Sequence, residues 1–183
     1  MKQELLDLMK KHSYSEGSFM LSSKRMSKFY IDCKNTLLLS RGHFLIGNIL
    51  CDLIEDKLGY LEPSIVAGVE LGGCSIASAV STVSAYPGHK TSYDALFLRK
   101  SIKDHGSQKR IEGVPRPNSR VVLVEDVLTT GRNTINALAV LEENDYDIAA
   151  VIAIVDRSEG ATDRIQDKCL IPVISLFTLA DFE

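Results

Sequence analysis

An α/β domain built on a parallel sheet is what this sequence predicts, and three observations predict it. Short apolar runs rich in β-branched residues recur, at Ile65 and Val66, at residues 121–124 and at residues 148–155. They lack the alternation of a strand with one wet face, as strands buried on both faces do. Helical periodicity lies between them, in Ile46, Ile49, Leu50, Leu53 and Ile54 and again in Ile135, Leu138 and Leu141. Finally, small or glycine-rich turns at residues 68–73 and 129–131 join strand to helix, as βα units require.

Composition sets the frame for these elements. A chain of 183 residues is one domain's worth and can bury a core without disulfides or metals. With 45% hydrophobic and 25% charged residues it reads as an ordinary soluble globular protein rather than a disordered one. A net charge of -3 gives no overall cationic field, so nucleic acid is not expected as a partner. The opening residues MKQELLDLMKKH carry acids among their leucines, and no apolar run approaches membrane-spanning length. No membrane partner is expected, and a cytoplasmic location is. Cys33, Cys51, Cys74 and Cys169 are too widely spaced for a zinc or redox motif and read mostly as small buried residues.

Taken in order, residues 2–11 form an amphipathic helix through Leu5, Leu6, Leu8 and Met9. Phe19, Met20 and Leu21, then Phe29, Tyr30 and Ile31, suggest two short strands around a basic turn holding Lys24 and Arg25. Together these make a small N-terminal hood, mainly residues 1–35, on a single domain spanning residues 1–183. A helix follows over residues 41–58, with Ser40 as its expected cap and Gly59 as its stop. The strand at Ile65 and Val66 leads through the turn at residues 68–73 into a small-residue helix begun by residues 75–80. A glycine-rich βα loop exposes backbone N–H groups, which suits pyrophosphate. Residues 93–98 are another strand candidate, and residues 171–179 supply a last one.

Two stretches carry the chemistry. In RVVLVEDVLTTGRNT, residues 120–134, a strand runs into Glu125 and Asp126, and Val127, Leu128, Thr129, Thr130, Gly131 and Arg132 turn into a helix. The helix N-terminus and the threonine hydroxyls offer donors to a phosphate, and the carboxylates can accept hydrogen bonds from sugar hydroxyls. The second stretch, RKSIKDHGSQKRIEG from residue 99 to residue 113, is polar and nearly without apolar anchors. Arg99, Lys100, Lys103 and His105 concentrate three fixed cations and one imidazole there, suited to an anion that gains charge as it leaves. Beyond the strand at residues 148–155, Arg157 stands at a strand's carboxyl end, where its planar fork can pair with a carboxylate.

The run at residues 120–134 resembles the phosphoribosyl-pyrophosphate (PRPP) signature of type I phosphoribosyltransferases. Phe19, Leu21, Ser23, Ser27, Tyr30 and Asp32, the RKxxKxHG spacing of residues 99–106 and the DRSEG of residues 156–160 are similar to motifs of the orotate phosphoribosyltransferases in particular. The resemblance implies the type I phosphoribosyltransferase fold, a parallel sheet flanked by helices with a small hood. It implies transfer of 5-phosphoribosyl from PRPP to orotate, giving orotidine 5′-monophosphate and pyrophosphate. Lys103, His105 and Asp126 are implied as catalytic. PRPP falls to Arg99, Lys100, Lys103, His105, residues 125–132, Leu71 and Gly72, and orotate to Tyr30, Ile31, Thr129 and Arg157. Mg²⁺ is implied as a cofactor carried by PRPP rather than held directly by the protein, and a homodimer sharing loop 99–113 between subunits is implied as well. Two departures stand out: Ser22 and Gly72 occupy positions where some members carry lysine, with Lys24 close by. A purine phosphoribosyltransferase, and a non-catalytic nucleotide-binding regulator of the same fold, are the alternatives.

Overall fold

The computed structural model describes residues 1–20, 26–100 and 109–182. Helix α1 (Lys2–His12) packs Leu5, Leu6 and Met9 inward. Strands β1 (Tyr14–Met20) and β2 (Met26–Ile31) pair antiparallel as a sheet of their own, Tyr14 opposite Ile31. A buried hydroxyl pair, Ser13 Oγ to Thr36 Oγ1 at 2.7 Å, fastens the foot of this hood to the short helix α2 (Lys34–Leu37).

The main sheet has six strands: β3 (Ile65–Val69), β4 (Asp94–Leu98), β5 (Ile111–Glu112), β6 (Arg120–Leu128), β7 (Asp147–Asp156) and β8 (Val173–Thr178). Their spatial order is β5-β4-β3-β6-β7-β8, all parallel except β5. The absence of wet-face alternation has its expected cause, because both faces are covered. Val66, Val122, Val124, Ile152 and Ile154 face the layer of α1, α3 (Ser40–Leu53) and α4 (Gly72–Ser84). Ile65, Ala67, Val121, Leu123, Val151 and Ala153 face α5 (Arg132–Glu142) and α6 (Ala161–Cys169). No helix of the described residues is long and apolar enough to cross a membrane.

Several boundaries differ from the sequence reading. Ser40 is the first residue of α3 rather than its cap; Leu39 precedes it without a side-chain cap. The α3 pattern continues as a π-turn over Ile54–Leu58, and Gly59 is right-handed; the left-handed turn falls on Glu62, φ 52°. The periodicity there is real, but it does not distinguish an α- from a π-turn. Strand β6 runs through both acids to Leu128, because Val127 and Leu128 still pair with Val155 and Asp156 of β7. Helices α2 and α6 are short polar-rich segments that periodicity alone did not reveal. Cys33 and Cys51 are buried as expected, whereas Cys74 and Cys169 are half-buried; all four are free.

Candidate active site

Beyond β3 the chain winds outward to β4, and beyond β6 it winds the other way to β7 and β8. The carboxyl ends of β3 and β6 therefore flank a topological switch point, where open α/β sheets leave a crevice. Residues 70–73 follow β3 there, and residues 125–134 close β6. Gly68 within β3 lets the start of α4 fold back closely on its own strand, and Gly72 and Gly73 let it approach Asp126 and the Val124 carbonyl of β6. A β-carbon at Gly72 would lie 2.2 Å from Asp126 Oδ2 and 2.8 Å from Asp126 Cβ, so the aspartate fills the space a side chain would need. A side chain at this position would have to displace this aspartate.

Lys100, Glu125, Asp126, Val127, Leu128, Thr129, Thr130, Gly131 and Arg132 line a cleft of about 670 Å³, together with Asn133 and Thr134. Gly131 takes φ 75° as the residue before α5, a left-handed conformation that glycine adopts without strain, and it starts the helix at the cleft. The first turn of α5 thus brings unpaired N–H groups and a partial positive charge to the site. Arg164 of α6 donates to the Thr130 carbonyl and braces this turn from behind.

The two acids differ in environment. Glu125 is 8% exposed and its Oε2 is buried without a hydrogen-bond partner among the described residues. Burial pushes its carboxyl up to about 8, the neighbouring charge of Asp126 adds to the rise, and Lys100 opposes it. Asp126 is tied down: its Oδ1 accepts the Val127 N–H at 3.0 Å, and the Cys33 thiol reaches its carbonyl at 3.6 Å. That thiol is itself held well above its usual range by burial, and then by the charge of Asp126. The pair offers one acceptor fixed by the backbone and one buried carboxyl whose Oε2 has no partner among the described residues, which suits adjacent sugar hydroxyls.

Of the cationic stretch, Lys100 reaches the cleft. Arg99 is directed elsewhere: its guanidinium grips Glu112 Oε1 at 2.8 Å, and its N–H donates to the Arg110 carbonyl at 2.9 Å, closing the neck of the loop. Lys103 and His105 lie outside the described residues, as does Lys24 in the hood turn. Leu71 is 68% exposed beside the buried Gly72 at the start of α4.

A second recess lies under the hood. Arg157 is 7% exposed, and its backbone N–H donates to the Leu128 carbonyl. Its guanidinium sits 4.9 Å from the Phe29 ring and donates from Nη2 to Ser27 Oγ at 3.2 Å. Glu159 Oε1 lies 3.1 Å from Nε, close enough for charge pairing but off the N–H axis, so Nε makes no hydrogen bond among the described residues. Ile31 is buried, while Tyr30 is 43% exposed and tilts against Phe19 at 5.5 Å. Sequence reasoning chose Tyr30 and Ile31 and passed over Ser27 and Phe29 as contacts of Arg157. The period-2 burial of β2, in which Ser27 and Phe29 share its inner side, was the signal that could have found them. It also missed Glu70, whose carboxylate accepts the Lys100 N–H at 2.6 Å.

The arrangement brings a glycine-led helix start, two adjacent acids, a lysine and a buried arginine to the carboxyl ends of the strands. The chain was compared with known proteins. No family model matches the chain. It is 40% identical to an orotate phosphoribosyltransferase of Sorangium cellulosum over 99% of this chain and 92% of that protein. A Synechocystis orotate phosphoribosyltransferase is 39% identical over 100% of this chain and 88% of that protein. Among solved structures, the Mycobacterium tuberculosis orotate phosphoribosyltransferase in complex with PRPP matches with a TM-score of 0.79 at 29% identity, over 99% of this chain and 98% of that one. With this fold and these relatives, the chain belongs to the orotate phosphoribosyltransferase family of type I phosphoribosyltransferases.

Proposed function

We propose that the chain transfers the 5-phosphoribosyl group of PRPP to orotate with Mg²⁺, giving orotidine 5′-monophosphate and pyrophosphate. The observation that carries this reading is the convergence of the Glu125 and Asp126 cleft with a buried, stacked Arg157 on one sheet edge. The bond from the anomeric carbon to the pyrophosphate oxygen breaks, and a bond from that carbon to a ring nitrogen of orotate forms. Positive charge grows on the ribose and negative charge on the leaving group, so positioning and electrostatics do most of the work.

In this scheme the turn at residues 129–132 and the first turn of α5 hold the 5′-phosphate. Glu125 and Asp126 accept hydrogen bonds from the ribose hydroxyls, with the Asp126 carboxylate beside the developing cation. Residues 71–72 offer backbone to the pyrophosphate, Lys100 and Lys103 face its charge, Arg99 joins them on leaving Glu112, and His105 or Lys103 returns a proton. Arg157 pairs with the orotate carboxylate above Phe29, with Ile31, Thr129 and the Tyr30 backbone completing the pocket. The oxygen donors of the cleft and the unsatisfied Glu125 Oε2 are compatible with a hard cation. We assign its ligands mainly to PRPP and water, since Mg²⁺ keeps waters and substrate phosphates, and when bound it supplies neutralisation of the leaving pyrophosphate. The working unit is a homodimer in the cytoplasm, each subunit one phosphoribosyltransferase domain whose loop 99–113 serves its neighbour's site. A steady-state assay with PRPP and Mg²⁺, run on orotate, adenine, hypoxanthine and uracil in parallel, tests the reading. Orotate alone should be consumed; turnover of a purine with orotate inert would refute it.

A further inference from the structure

Strand β3 ends at Val69, yet its ladder to β4 continues for two more hydrogen bonds, both made by Glu70. The Glu70 N–H donates to the Leu98 carbonyl at 2.9 Å, and the Glu70 Oε1 accepts the Lys100 N–H at 2.6 Å. In a parallel ladder one residue accepts from and donates to the two residues that flank its partner. The second of these bonds would normally end on the main-chain carbonyl of residue 70. Here the side-chain carboxylate takes that place, and the bond is charge-assisted, which makes it short and strong. Between the two bonds, Arg99 faces the opposite way, its N–H on Arg110 and its guanidinium on Glu112. The root of the cationic loop is thus held on one side by its own return strand and on the other by the first residue of the glycine-rich turn.

We infer that Glu70 is a positioning residue for the phosphoribosyl transfer, acting through Lys100. Its carboxylate fixes where the chain leaves β4, and so sets the Lys100 ammonium in the cleft opposite Glu125. The turn that follows Glu70 is the one assigned above to the pyrophosphate, so anion binding at residues 71–72 and placement of Lys100 are joined through a single side chain. This inference rests on the proposed PRPP reading of the cleft. What the role needs is an acceptor oxygen at full reach, not a negative charge.

Three variants separate reach from charge. Glu70→Gln keeps an oxygen at the same distance and loses the charge, Glu70→Asp keeps the charge and draws the oxygen back by one methylene, and Glu70→Ala loses both. Glu70→Gln should retain kcat/KM for PRPP within about threefold, while Glu70→Asp and Glu70→Ala each lose about tenfold or more, the scale of one charge-assisted hydrogen bond. KM for orotate should stay within about twofold in all three, since the contact lies at the PRPP end. Melting temperatures, read alongside, should stay close to that of the parent. The inference is overturned if Glu70→Asp works as well as the parent while Glu70→Gln does not, which would make the charge the essential feature. It is equally overturned if all three variants match the parent. If the parent itself consumes no PRPP, the reading beneath the inference fails instead.

Discussion

Glu125 carries the sharpest consequence at the scale of single residues. Its folded-state carboxyl is raised to about 8, mainly by burial, against an ordinary value near 4.5. An acid whose folded value lies above its unfolded one binds more protons folded than unfolded between the two. Stability therefore falls as pH rises from about 4.5 to about 8, and the cost of the buried charge is fully present above that window. Replacing Glu125 with Gln should remove that slope and raise unfolding free energy above pH 8 by a few kcal/mol, as urea titrations across pH would read. If the ionised form is the one that accepts a ribose hydroxyl, kcat/KM for PRPP should climb about tenfold per pH unit below that value and level off above it. A flat profile in the parent, or the same limb in the Gln variant, would remove Glu125 from this role. Gly72 gives a steric prediction. Gly72→Ala places its β-carbon against the Asp126 carboxylate and should cost about 1–3 kcal/mol of stability, with kcat/KM for PRPP lowered about 100-fold. A variant with parental kinetics would show that Asp126 can move aside freely.

At the scale of elements, the strands and the switch-point turns were legible because burial on both faces leaves an apolar run that needs no long-range knowledge. The residues 120–134 could be read as strand, acids, turn and helix from local chemistry alone. Hydrogen-bond capacity does not mark where a strand stops, and β6 continues through Glu125 and Asp126 only because β7 is long enough to pair with Val127 and Leu128. The base end was half legible. Arg157 at the end of β7 announced itself, but its partners arrive from β2, 130 positions earlier in the case of Ser27. The alternation of β2 marks Ser27 and Phe29 as sharing one side, but that this side meets Arg157 is set by the docking of the hood, which no local pattern encodes. Arg99 illustrates the same limit: its charge was visible, and its engagement with Glu112 follows from the antiparallel pairing of Leu98 with Ile111.

At the scale of the whole molecule, the proposed reaction takes place in a dimer. Loop 99–113 is proposed to act on the partner's cleft, so a subunit lacking Lys103 and a subunit lacking Asp126 should rescue each other. Co-refolded Lys103→Ala and Asp126→Asn chains should recover about a quarter of the parental rate in statistically mixed dimers, because half the dimers then hold one intact site. Confirmed hybrids with no recovery would mean that each loop serves its own subunit. The larger claim is that the molecule divides its substrates, the switch-point cleft taking the phosphoribosyl group and the recess under the hood taking the base. The most direct measurement of that division is the pair of affinities in Arg157→Gln, with KM for orotate from initial rates and Kd for PRPP from calorimetry. KM for orotate should rise about 100-fold or more, the loss of a desolvated charge pair, while Kd for PRPP stays within about threefold. Equal weakening of both, or an unchanged KM for orotate, would contradict it.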